Sequence, residues 1–197
     1  MINKSIELFT DGSSLRNPGA SGLGYIIKYT ELSDDDFEGM PETKTIEGNQ
    51  GFRLSTNNRM EIMAGIYGLN RIIHEIKNGI FINDIPTQIT LSSDSDYFVK
   101  AIKQNWITRW QSNNWLTSNY NGQKPKDVKN KDLWEQIINI QNQLRSMNIN
   151  LIMNHVEGHT GHEFNERADQ LAVAASNDGQ HHLIDEMYEK IAPVLNK

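Results

Sequence analysis

The sequence predicts an α/β fold: a mixed sheet with helices packed on it. Three observations carry that expectation. Five segments read as strands, Ile6–Asp11, Leu23–Tyr29, Phe52–Ser55, Ile89–Leu91 and Ile149–Val156. Long helical periodicities, Asn58–Lys77 and Asp132–Met147, fall between the later strands, so β-α-β crossovers are required. A chain of 197 residues with no low-complexity break and no internal repeat is long enough for one domain with its own core.

Bulk composition narrows the function classes. Hydrophobic content of 37% and charged content of 22% are ordinary for a soluble globular chain. There are no cysteines, which excludes a disulfide framework, a thiolate metal site and a thiol nucleophile. Met1–Ser5 is polar and runs straight into a strand, unlike a secretory leader, and no apolar run approaches the ~20 residues of a membrane span, so a cytoplasmic location is expected. The net charge of -6 argues mildly against a nucleic-acid partner. Its distribution points the other way. Glu31 to Glu47 holds seven acids and one lysine, a balance of -6, whereas Phe98 to Glu135 holds seven Lys/Arg against three acids, a balance of +4.

Ile6–Asp11 alternates and ends in an acid, and the glycine-rich run from Gly12 to Gly24 turns into the second strand. A hairpin with a bulge is the plain reading of these glycines. A phosphate cradle is the alternative, although the run lacks the G-K-[ST] of a Walker loop. Glu31–Asn49, broken by Gly39, Pro41 and Gly48, reads as a solvated acidic loop or ragged hairpin arm. In Asn58–Lys77, Met60, Met63, Ile66 or Tyr67, Ile73 and Ile76 recur at helical spacing, and Asn58-Arg-Met-Glu61 resembles a helix cap, which alone would explain Glu61. Ser92–Ser95 ends the fourth strand and starts a helix from Asp96 to about Gln104, placing Asp94 at a strand-to-helix loop. Trp106, Trp110 and Trp115 lie in one stretch, where core packing competes with an aromatic platform beside Lys124, Lys126, Lys129 and Lys131. After the last strand come two histidines in a glycine-bracketed loop, a helix opening near Asn165, and a possible short amphipathic helix from Leu183 to Leu195.

Four acids therefore stand at strand or helix ends: Asp11, Glu61, Asp94 and Asp169. Clustered carboxylates repel one another unless cations lie among them. Oxygen-only ligands suit Mg²⁺ or Mn²⁺, and a pair of such ions supports in-line phosphoryl displacement.

The motifs D-G-S-S-x-x-N-P-G, T-N-N-R-M-E, S-D-S and G-H-T-G-H-x-x-N-E-R-A-D-x-L-A occur in this order from about Ile6 to Ser176. Together they resemble the type 1 ribonuclease H family. The resemblance implies a ribonuclease H-like fold with a mixed five-stranded sheet flanked by helices, occupying residues 1–176. The acidic insertion at about 31–49 and a C-terminal extension, 177–197, would be additions. It implies a Mg²⁺-dependent endonuclease that cuts the RNA strand of RNA–DNA hybrids with two ions, Mn²⁺ substituting, and leaves 3′-hydroxyl and 5′-phosphate ends. By motif, Asp11, Glu61, Asp94 and Asp169 would bind the metals, and His159 would handle protons or product release. His162 would shape the loop, and His155 is read as structural.

The resemblance also implies how substrate is held. Gly12, Ser13, Asn57 and Asn58 would line the RNA strand, where 2′-hydroxyls separate RNA from DNA. Thr56 and Asn17 would hold the DNA strand, with Trp106, Trp110 and Trp115 under its sugars. A monomer is expected. Three departures bear on affinity: neutral residues fill Trp110–Trp115, Glu157 stands where a basic residue is common, and Asp96 stands where glutamine is frequent. They predict weaker and more salt-sensitive hybrid binding than in a strongly basic member. Two rival readings remain, a related two-metal integrase or junction resolvase and a catalytically silent hybrid-binding module.

Overall fold

The computed structural model describes residues 5–32, 41–80, 85–117, 124–158 and 160–195. Three antiparallel strands open the chain: β1 (Ser5–Ser14), β2 (Gly19–Leu32) and β3 (Pro41–Ser55). Helix α1 (Asn57–Lys77) leads to β4 (Gln88–Ser93), which lies parallel to β1. Helices α2 (Asp96–Lys103), α3 (Trp106–Ser112) and α4 (Lys131–Ser146) precede β5 (Asn150–His155), parallel to β4. Then come α5 (Glu163–Asn177) and α6 (Glu186–Leu195). The sheet is five-stranded and mixed, in the order β3-β2-β1-β4-β5.

The core lies between the sheet and the α1/α4 layer. Leu8, Ile27, Ile89 and Leu91 meet Ile62, Leu69 and Ile72 of α1, with Phe98, Trp134 and Ile137 behind them. Burial on α1 spreads beyond the single face expected from its spacing, because the helix touches both β1 and α4.

Local expectations changed where tertiary contacts intervened. β1 runs on past Asp11 to Ser14, because β2 supplies a partner as far as Ser14↔Ser21. The glycine-rich segment is a hairpin with a register shift between Gly19 and Ser21. The third strand is 15 residues long, with Pro41–Gln50 paired along β2 from Leu32↔Pro41 onward, so the hairpin arm is regular over its described part. Ladder hydrogen bonds come from the backbone, so acidic side chains on solvent-facing positions such as Glu42 do not oppose them. The tail packs on the domain. Leu183 N–H donates to the Gly51 carbonyl (2.8 Å), Arg53 N–H donates to that of Leu183 (3.0 Å), and the Arg53 guanidinium grips Glu189 at 2.7 Å.

The arm projects away from the acids of interest. Asp11 pairs with Gly24, and Leu32 lies eight residues further along β2, roughly 25 Å away at about 3.3 Å per residue. If the chain has the hybrid-cleaving activity its motifs imply, replacing residues 33–40 by a four-residue Gly/Ser linker is expected to change it by less than about twofold, because Leu32 and Pro41, which flank the replaced residues, stand more than a Debye length from Asp11. Steady-state rates of the two proteins at 0.15 M salt check this.

Candidate active site

Asp11 and Asp94 become neighbours through strand register. The last β1–β4 pair is Phe9↔Ser92, so two residues on, where the parallel pairing of the two strands stops, stand these two acids. A tight turn follows Asp94. Ser95 N–H donates to Ser93 Oγ (3.2 Å), and Ser95 Oγ caps α2 by accepting from Phe98 N–H (3.4 Å). Glu61 arrives from α1. A Cβ on Gly12 would collide with Glu61 N and Met60, so only glycine lets the start of α1 sit this close to β1. One carboxylate oxygen each from Asp11, Glu61 and Asp94 then lies within 4.8 Å of the others.

Glu61 is not a cap residue. The cap of α1 is Thr56, whose carbonyl accepts from Arg59 and Met60 N–H at 3.0 and 3.1 Å. Glu61 therefore falls in the second turn and is buried, at 5% exposure. Its Oε1 accepts from Asn57 Nδ2 (3.2 Å), while Oε2 is buried with no partner. Burial first, then the charges of Asp11 and Asp94, push its carboxyl well above the ordinary value, and the Asn57 bond opposes them in part. Asp11 behaves alike. Burial, then the Asp94 charge and last that of Asp169, raise it from 3.8 to about 7, against the Gly12 N–H that donates to Oδ1 at 2.7 Å. An all-oxygen set with an orphaned, buried carboxylate oxygen and repelling neighbours fits a hard divalent cation.

Asp169 comes from the other side of the sheet. Phe9 and Asp11 share one face of β1, and the Phe9 ring lies 5.0 Å from that of His162 and 5.4 Å from that of Phe164, at the head of α5. Asp169 lies on α5, half-buried; it acts on Asp11 electrostatically and stands outside the three-acid group. The helix opens at Glu163, two residues before the expected Asn165, because His162 takes the cap position and accepts from Glu166 N–H (3.0 Å). His159 lies outside the described residues. Its loop is tied on both sides: Thr160 Oγ1 donates to the Glu157 carbonyl (2.8 Å) and Gly161 N–H donates to Glu166 Oε1 (2.9 Å).

The remaining predicted contacts divide into two groups. Asn17 Oδ1 accepts from Asn57 N–H (3.2 Å), tying the hairpin turn to the helix start beside Gly12, Ser13 and Thr56, while Asn58 is exposed. Trp106, Trp110 and Trp115 are half-buried against the core: Trp106 and Trp110 meet edge-on at 5.9 Å, Trp110 lies 5.7 Å from the buried Trp134, and Lys131 lies over Trp115 at 5.6 Å. Core packing thus claims one side of each ring and leaves the other partly open. His155 is not interior; its exposed ring places Nε2 3.3 Å from the Asp94 carbonyl oxygen. Asp96 is neutralised by Lys100 at 2.6 Å, which holds its carboxyl below the ordinary value.

Sequence reasoning missed Gly158. A Cβ there would lie 2.8 Å from Asp94 Oδ2, so the histidine loop passes directly over that carboxylate. The first glycine of G-H-T-G-H was the available signal. Gly158→Ala is expected to displace the Asp94 carboxylate and lower kcat about tenfold or more, because sub-ångström misplacement of a reacting group is expensive. Unchanged thermal unfolding alongside the slower single-turnover rate distinguishes this from misfolding.

Residues 3–177 match the RNase H family model. Ribonuclease H of Blochmanniella pennsylvanica is 39% identical over 173 residues, covering 88% of this chain and 93% of the relative. That of Mannheimia succiniciproducens is 39% identical over 172 residues, covering 87% of each. Among solved structures, RNase H1 from Halobacterium salinarum superposes with a TM-score of 0.54 at 24% identity over 89% of this chain and 99% of that one. LC11-RNase H1, solved in complex with an RNA/DNA hybrid, gives 0.57 at 20% over 89% and 99%. With the family model matched over residues 3–177 and relatives 39% identical over most of both chains, the chain belongs to the ribonuclease H family of nucleases.

Proposed function

We propose that this chain is an endonuclease that hydrolyses the RNA strand of RNA–DNA hybrids with two Mg²⁺ ions, leaving 3′-hydroxyl and 5′-phosphate ends. The observation that carries the reading is the convergence of Asp11, Glu61 and Asp94 oxygens within 4.8 Å, one of the three residues carrying an orphaned oxygen. Asp11 and Asp94 would hold or bridge the ions, Glu61 one ion, and Asp169 would complete the second site; Mn²⁺ has the same oxygen preference. When bound, such ions activate the nucleophile and stabilise the leaving oxygen. The protein's own part is positioning. Asn57 holds Glu61 through its amide at the start of α1, where it, Gly12, Ser13 and Asn58 would line the RNA strand. Asn17 and Thr56 hold the DNA strand beside them, and the half-open faces of Trp106, Trp110 and Trp115 take its sugars. His159 would handle protons or product release.

The chain is read as a cytoplasmic monomer with a catalytic domain over 1–176 and a docked extension, 177–197. Among the described residues no helix is long and apolar enough to cross a membrane. The test is cleavage of labelled RNA in a hybrid, in an RNA duplex and as a single strand, with Mg²⁺ and with EDTA. Metal-dependent cutting of the hybrid alone is expected. Hybrid binding with no cutting under Mg²⁺ or Mn²⁺ would make the chain a binding module.

A further inference from the structure

Asp94 stands just past the sheet ladder. β4 ends at Ser93, whose pair on β5 is His155, and α2 opens only at Asp96, so the Asp94 peptide belongs to neither element. Among the described residues no backbone N–H donates to its carbonyl. A carboxylate that is to hold a metal ion needs a fixed backbone beneath it, because misplacement of a ligand weakens binding and slows the reaction.

The end of β5 supplies that hold. Val156 N–H donates to the Ser93 carbonyl at 3.2 Å, which secures the chain just before Asp94. By strand alternation His155 shares a side of β5 with the buried Met153, and its ring reaches the head of α2. There Nε2 lies 3.3 Å from the Asp94 carbonyl oxygen and 3.6 Å from Asp96 Oδ1. Both neighbours of this nitrogen are acceptors, so Nε2 carries the proton and donates. Three residues on, Gly158 lies over Asp94 Oδ2. The His155 side chain is 40% exposed, so packing gives the fold little reason to keep a histidine here.

We propose that His155 is a positioning residue: its Nε2–H fixes the Asp94 peptide so that the Asp94 carboxylate converges with those of Asp11 and Glu61 on a divalent ion. The inference rests on the metal-ion reading above. His155 acts through Asp94 and touches neither the ion nor the hybrid. The same strand end thus holds the Asp94 backbone from one side and passes over its carboxylate on the other.

Calorimetric titration of Mg²⁺, hybrid kcat and KM, and thermal unfolding in EDTA, compared for wild type, His155→Phe and His155→Gln, test this. Phenylalanine keeps a ring and loses the donor, whereas glutamine keeps an amide N–H at similar reach. His155→Phe is expected to bind Mg²⁺ about tenfold more weakly, as happens when an outer-shell partner of a ligand is lost. Its kcat should fall at sub-saturating Mg²⁺ with hybrid KM unchanged, and its unfolding in EDTA should stay within about 2 °C of wild type. His155→Gln is expected to restore most of the lost affinity. Wild-type Mg²⁺ affinity in His155→Phe overturns the proposal and leaves the metal-ion reading standing. So do equal losses in the two variants or a clearly lowered unfolding temperature for His155→Phe, which make the ring a structural contact. A raised hybrid KM at unchanged Mg²⁺ affinity also overturns it, by making the ring a substrate contact. Failure of wild type itself to bind Mg²⁺ overturns both readings together.

Discussion

Asp11→Asn is expected to lower hybrid cleavage by about a thousandfold or more, roughly 4 kcal/mol of transition-state stabilisation at ~1.4 kcal/mol per decade. The residue is the centre of the site: Asp94 adjoins it in register, Glu61 abuts it across Gly12, and Asp169 acts on it from α5. The same substitution should act oppositely on the metal-free fold. With its carboxyl raised from 3.8 to about 7, folded Asp11 keeps a proton that the unfolded chain has released between those pH values. Stability therefore falls as pH rises through that window, and the full penalty, a few kcal/mol at about 1.4 kcal/mol per pH unit, persists above it. In EDTA, Asp11→Asn should be more stable than wild type at pH 8 and gain nothing at pH 4. Mg²⁺ should stabilise wild type at pH 8 far more than the variant. Denaturant unfolding at both pH values, with and without Mg²⁺, checks all four conditions. A variant less stable than wild type at pH 8 in EDTA would contradict the repulsion argument.

Arg59→Met is expected to destabilise the fold by about 3–5 kcal/mol, the range for removing one partner of a buried ion pair. Arg59 is 2% exposed and donates to both oxygens of Asp132 (2.9 and 2.7 Å) and both of Asp185 (2.7 and 2.8 Å). Ser55 Oγ adds a 2.6 Å bond to Asp185, and the Tyr188 ring lies 5.9 Å from the guanidinium. One side chain thus ties α1 to α4 and to the tail. One guanidinium serves two carboxylates, and its loss strands Asp185 at 4% exposure. At about 2–4 °C per kcal/mol for a domain of this size, Tm should fall by roughly 10 °C. Arg59→Met/Asp132→Leu/Asp185→Leu should recover most of that, because an apolar trio carries no desolvation penalty. Calorimetric unfolding of the single and triple variants decides it; a single variant within about 1 kcal/mol of wild type would reduce the cluster to a surface contact.

Local sequence carried the element order well. Periodicity located five strands and the main helices, since alternation and 3.6-residue spacing are properties of short windows. Asp11 and Asp94 were legible as candidates for a related reason: each follows a strand pattern, and strand ends before helices are where α/β sheets gather ligands. The motifs from Asp11 to Asp169 then supplied the family, which the match over residues 3–177 bears out.

What escaped local reading depended on partners far along the chain. Glu61 looked like a cap, and only the approach of α1 to Gly12 buried it among two other carboxylates. Glu31–Asn49 read as an acidic loop or ragged hairpin arm, and pairing with β2 made its Pro41–Asn49 part a regular strand of that arm. The tail had no evident place, and Arg59, Gly51 and Arg53 provided one. Gly158 and Asn165 were motif letters until a carboxylate lay under one and an unsatisfied oxygen stood on the other. Residue type and spacing by themselves determined which segments fold as strand or helix and which acids were available for metal chemistry. Only the tertiary structure decided which of those acids meet, how far their protons are held and which polar atoms go unpaired, because desolvation and charge repulsion depend on distances through space that no local pattern encodes.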